Sequence, residues 1–190
     1  MKKYISILAT LALLCGTTTA FAATDGTIGT ASSTGTAGLT LEIPKLIQIT
    51  GMKDISLAYV AGQEDKTDNK DICIYANLDA GQDETYTVTG TGNWSLDGTG
   101  GTDFYLKRTT GTVDTIAYSV SYNDASGTIG AQALTAGTAL TGQTGFSNTV
   151  NELCSANQNA NYSITITKAN ILAALHGTYT GTLTLVVAPE

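Results

Sequence analysis

The side chains that could do covalent chemistry are few and scattered. His176 is the only histidine among the 190 residues. A serine hydrolase would need it as the general base, yet no G-x-S-x-G elbow presents a nucleophile to it. Paired carboxylates hydrolyse glycosides, but most acids here fall in polar segments, where solvation is the ordinary reason for a charge. The densest acidic run, residues 63–70 (QEDKTDNK), lacks the central glycine and the terminal bidentate glutamate of a calcium-binding loop, so it reads as a solvated loop. Two distant cysteines and one histidine do not make a metal cluster. Trp94 and the nine tyrosines could line a sugar site, but such residues more often fill cores and strand pairs. No catalytic residue, metal or cofactor is expected, and the chain is not expected to be an enzyme.

The start of the chain says where it goes. Lys2 and Lys3 precede a mostly apolar run, residues 5–15, that is too short to span a bilayer, and Ala20-Phe21-Ala22 puts small residues where a signal peptidase needs them. Cleavage is expected after Ala22. Leu14, bulky and directly before Cys15, argues against a lipoprotein. No later apolar run reaches spanning length, so export rather than anchoring is expected. Cys73 and Cys154 then meet an oxidising compartment, where two thiols suggest one disulfide; the alternative is a pair of buried free thiols. Asn93-Trp94-Ser95 and Asn161-Tyr162-Ser163 match glycosylation sequons, but the export signal looks bacterial and discounts them. Nine basic residues face 16 acidic ones, and losing Lys2 and Lys3 widens the gap to nine. Such a surface disfavours nucleic acid and anionic membrane as partners.

The elements that would position these residues are strands. The chain is rich in Thr and Gly and poor in helix formers, which is β composition. Residues 23–36 are small and polar, a flexible leader that cannot pack a core. In residues 37–43, Ala37, Leu39, Leu41 and Ile43 fall at every second position, on one face of a strand. Pro44 cannot donate a ladder hydrogen bond and marks a hinge. Leu46, Ile47 and Ile49 begin a second run. Further alternation is visible at Ile55, Leu57 and Tyr59; at Ile72 and Ile74, opposite Cys73 and Tyr75; at Tyr86 and Val88; at Trp94 and Leu96; and at Phe104 and Leu106. Ile116, Tyr118, Val120 and Tyr122 share a face, as do Tyr162, Ile164 and Ile166. Tyr179, Leu183, Leu185 and Val187 close the series. Residues 124–145 fit either a weak hairpin or a long loop. KANILAAL, residues 168–175, supports one short helix. Many short strands between Gly, Asn and Asp turns predict an all-β, antiparallel sandwich or barrel.

Taken together, these segments resemble the pilins of the chaperone–usher type, nearest to the alternate group of colonisation-factor fimbriae and spore-coat-U-like proteins. The resemblance rests on the alternating strand before Pro44, on FYLK and IAYSVSYND within residues 104–124, on Gly177-Thr178-Tyr179, and on the terminal strand with Leu183, Leu185 and Val187. It implies an incomplete immunoglobulin-like sandwich over residues 44–190, completed by a donor strand. Ala37, Leu39, Leu41 and Ile43 would be donor residues. Tyr179, Leu183, Leu185 and Val187 would lie on the groove strand that meets a periplasmic chaperone. Partners would be neighbouring subunits in a homopolymer, that chaperone and an outer-membrane usher, and the role adhesion or biofilm formation at the cell surface. The alternative is a self-contained secreted or surface β-sandwich binding module, in which residues 37–43 complete their own domain and a carbohydrate is one candidate ligand.

Overall fold

The computed structural model describes residues 22–79, 84–150 and 153–190. The export signal, residues 1–22, lies outside them but for Ala22. The chain divides into two compact units, Met1–Ile43 and Pro44–Glu190.

In the first unit every described residue is exposed. Leu39, Leu41 and Ile43 are 95%, 83% and 66% exposed. Residues 24–36 form a closed loop. Thr24 and Thr36 exchange both backbone hydrogen bonds, at 3.0 and 2.9 Å, and their hydroxyls lie 2.6 Å apart. Glycine allows the loop to close this tightly. A Cβ on Gly26 would stand 2.1 Å from Ser33 Oγ, and one on Gly29 2.2 Å from Ser32 O.

The second unit is built from β1 (Ile47–Thr50), β2 (Lys66–Ala76), β3 (Tyr86–Thr91), β4 (Tyr105–Arg108), β5 (Thr115–Ala117), β6 (Ser119–Asn123), β7 (Gln132–Ala133), β8 (Ala139–Gln143), β9 (Ala160–Ile166), the short helix α1 (Lys168–Ala173), β10 (Tyr179–Thr180) and β11 (Thr184–Pro189). The strands form sheets of order β1-β2-β9-β6-β7, β11-β3-β8 and β10-β4-β5. All the strand pairs are antiparallel. The fold is a β-sandwich and not a barrel.

Period-two alternation sends one set of side chains into a single core. Ile72, Ile74, Val120, Tyr122, Ala160 and Tyr162 come from the five-stranded sheet, and Tyr86, Val88 and Leu185 come from β3 and β11. Ile116 and Tyr118 join them. The Tyr86 and Tyr122 hydroxyls meet at 2.8 Å in this core, and the Tyr86 hydroxyl also reaches the Gly145 carbonyl at 3.1 Å. Burial pushes both phenols well above the usual tyrosine range. Each hydroxyl therefore stays protonated and partnered, which spares the core an unsatisfied group.

Cys73 and Cys154 are joined, with Cα atoms 5.5 Å apart across 81 residues of sequence. Gly51, at φ +83°, makes room for the bridge: a Cβ there would lie 2.6 Å from Cys154 Cβ.

Several local expectations change. Residues 66–70, expected as part of a solvated loop, are the first half of β2. Lys66 to Lys70 pair with Ile166 to Tyr162 along β9. The ladder that β9 offers outweighs the poor strand propensity of Lys, Asp and Asn, and Lys70 and Asp68 satisfy each other at 2.8 Å. Trp94 and Leu96 do not form a strand. Trp94 makes one bridge to Gly100, and Leu96 is 69% exposed. Residues 124–145 contain β7 and β8, the latter paired with β3.

Candidate functional site

Among the described residues, the second unit holds a groove of about 1060 Å³ between residues 52–59 and residues 176–183. Its floor is apolar: Leu106, Ile116, Tyr118, Tyr162, Ile164 and Ile166 line it. Ile55 and Leu57 on one bank and Leu183 on the other are half-buried against the core. Charge is sparse and sits at Lys53, Asp54 and Lys66, and His176 adds an imidazole.

Among the described residues, the bank at 52–59 has no strand partner, whereas the far bank is paired through β10 with β4, Tyr179 opposite Arg108 and Thr180 opposite Lys107. After the turn at Gly51, residues 52–59 carry no ladder pairing, although Ile55, Leu57 and Tyr59 alternate as a strand would. Their backbone tie to the floor is at Lys53, whose carbonyl accepts from the Tyr162 hydroxyl at 2.5 Å. On the far bank, residues 181–183 lie between β10 and β11 and belong to neither. β1 and β11 are each the outermost strand of their sheets. The groove therefore combines an apolar floor with one bank that has no ladder and another that contains β10, the outermost strand of its sheet.

One end is built around α1. Thr167 caps the helix, accepting from Asn170 N at 3.2 Å. Asp65 accepts from Lys168 N at 2.8 Å, and Lys168 pairs with Glu64 at 2.9 Å. The helix thereby turns Ile171, Ala174 and Leu175 to the groove. Asp114 holds the turn that follows, accepting from Leu175 N at 2.8 Å and from the Tyr179 hydroxyl. Those two donors, the phenol first, keep the Asp114 carboxyl below the usual aspartate range. Burial, then the hydrogen bond to Asp114, pushes the Tyr179 phenol up to about 12.

Where β1 begins and β11 ends, Lys45 ties the two strands together. Its ammonium lies 3.1 Å from Glu84 and donates to the Glu190 carbonyl at 2.6 Å. The Glu190 side chain accepts from Thr85 Oγ1 and, at 2.9 Å, from Gly142 N. These contacts keep the Glu190 carboxyl below the usual range. Glu84 is lowered too, first by the Asp79 N–H and then by Lys45.

The residues singled out in the sequence divide as follows. Tyr179 and Leu183 line the groove, as does the exposed His176. Leu185 is buried and Val187 half-buried on β11, opposite Gly90 and Val88 of β3, outside the groove lining. Ala37, Leu39, Leu41 and Ile43 lie in the first unit, open to solvent. Among the described residues no group of three His, Cys, Asp or Glu side chains could hold a metal. Lys107 Nζ sits 4.4 Å over the Trp94 ring, so one face of that ring is already covered. The bank at 52–59 was signalled in the sequence only as another strand, and α1 only as a helix.

One solved structure resembles this fold. It is a chain from a chaperone–tip adhesin complex described as vital for synergistic activation of CFA/I fimbriae biogenesis, with a TM-score of 0.51 and 20% identity. The match covers 76% of this chain and 41% of that one, so this chain spans less than half its length. The likeness is one of fold. No protein family matches the chain, and no curated protein matches it.

Proposed function

We propose that the protein is a structural fimbrial subunit, without catalytic activity, that polymerises by donor-strand exchange at the cell surface. One observation carries the proposal. An apolar groove flanked by a bank without ladder pairing and by β10, the outermost strand of its sheet, occurs in a chain that also exposes an alternating apolar segment of its own. Residues 37–43 of one copy enter the groove of the next, with Ala37, Leu39, Leu41 and Ile43 on the floor and the backbone completing ladders on both banks. Burying each leucine or isoleucine adds about 1.5–3 kcal/mol. Strand addition also removes open edges that would otherwise aggregate. Because one copy gives and the next receives, the contact is head-to-tail and grows a fibre. Before assembly, a periplasmic chaperone covers the groove and an outer-membrane usher receives the complex. The exported location follows from the same reading.

The test is electrophoresis of the exported protein with and without boiling, alongside its native size. A ladder of multimers that collapses on boiling supports strand exchange, since strand release must precede separation. A single monomer band under both conditions, with a monomeric native size, refutes it.

A further inference from the structure

We propose that the closed loop 24–36 is a register stop, which fixes how far residues 37–43 of one copy advance into the groove of the next. This inference rests on the strand-exchange reading above.

An inserted strand must choose a register, and apolar alternation alone leaves that choice incomplete. A slip of one residue turns Ala37, Leu39, Leu41 and Ile43 away from the floor and is excluded by the pattern. A slip of two residues in one direction brings Lys45 to the floor and Pro44, which has no N–H, into the ladder. That slip is also excluded. A slip of two residues in the other direction seats Gly35, Ala37, Leu39 and Leu41. It keeps three apolar anchors and introduces no charge, so the segment itself does not forbid it.

The loop forbids it. A strand that fills a gap needs free N–H and C=O groups on both sides. The N–H and C=O of Thr36 are both already bonded to Thr24, at 2.9 and 3.0 Å. A second backbone therefore occupies the edge of the strand at Thr36, one residue before the first anchor. Drawing Gly35 into the groove requires opening that pair and the close turns at Gly26 and Gly29. The loop stands just outside the inserted stretch and blocks the one slip that the apolar pattern tolerates.

The experiment uses the full exported chain carrying Ile43→Cys, assembled into polymer and treated with a maleimide. The labelling rate of the introduced thiol follows the fraction of time that position 43 spends unseated. The same rate is measured with Thr24→Pro added, which removes one N–H donor of the closing pair and leaves Thr36 able to enter the ladder, and with residues 24–35 deleted, which removes the pair altogether. With the loop intact, the thiol labels far more slowly in polymer than in free subunit. The deletion accelerates labelling by about thirtyfold, the factor carried by two ordinary hydrogen bonds, and Thr24→Pro by about fivefold, the factor carried by one. Equal slow rates with the loop intact and opened overturn the stop and leave strand exchange standing. If the thiol labels as fast in loop-intact polymer as in free subunit, the strand-exchange reading falls, and the stop with it. Should Thr24→Pro block assembly, the deletion decides. Loss of polymer in both variants overturns the stop, because a stop is dispensable for insertion.

Discussion

Leu41→Asp separates what the first unit does alone from what it does in a neighbour. Leu41 is 83% exposed in the subunit, so the substitution removes almost no burial from the free protein. Its melting temperature should not move. In a groove the change is severe. The lost leucine forfeits about 1.5–3 kcal/mol of burial. A carboxylate cannot be seated charged among apolar side chains and is protonated instead. At pH 7 that protonation costs about 4 kcal/mol, for a group whose ordinary pKa is near 3.9. The sum is about 6 kcal/mol, roughly four powers of ten in the exchange equilibrium. The assay compares unboiled gels of wild type and variant with thermal melts of both monomers. Multimers should vanish in the variant at pH 7 and partly return near pH 4, where protonation costs little. Normal multimers at pH 7 would refute residues 37–43 as the donor. A melting temperature several degrees lower would show instead that Leu41 packs within its own subunit.

Three further outcomes are expected. Replacing both Cys73 and Cys154 with Ala frees a loop of 81 residues and should cost about 4 kcal/mol, roughly 10 °C in melting temperature. Gly51→Ala forces a β-carbon onto Cys154 at φ +83°; denaturant unfolding should show a loss of at least about 1–2 kcal/mol. Asp114 has a folded pKa below its unfolded value, so its contribution is present above the ordinary aspartate range and is lost as pH falls through the folded value. Asp114→Asn should therefore lower the unfolding free energy at pH 7 by a solvent-screened amount, no more than about 1 kcal/mol, and the gap should begin to close below about pH 4 as the pH falls towards the folded value.

Much of the sandwich was legible because alternation reports which face a residue occupies. Ile72 with Ile74, Tyr86 with Val88, and Ile116 through Tyr122 all point into the core, as their spacing requires. The disulfide followed from counting thiols in a chain expected to be exported. What alternation does not report is a strand's neighbours. Residues 52–59 alternate like any strand, and only the fold shows that they stand on the bank of a groove with no ladder. Lys66 to Lys70 look like a loop because the residues that make them a strand lie about a hundred positions away on β9. The same limit applies within the terminal segment. Tyr179, Leu183, Leu185 and Val187 read as one series, yet the first two line the groove while the last two serve the core against β3. In residues 124–145, glycine and threonine give little pattern, and the pairing of β8 with β3 carries Gln143 inside opposite Tyr86.

The tie at Lys45 bears on mechanics. A pull along residues 37–43 enters the second unit at Pro44, and the next residue is already bound to Glu84 and to the end of β11. Tension therefore reaches two sheets at once instead of peeling β1 from a single edge. It then runs along β1 to Thr50, whose ladder partner is Cys73, the near end of the covalent bridge to Cys154. Along the short span of β1 a load passes from a salt bridge, through a ladder in shear, to a sulfur–sulfur bond. A domain loaded in that order resists stretching most at the point where the chain enters it, so a fibre built from it would extend first between its subunits.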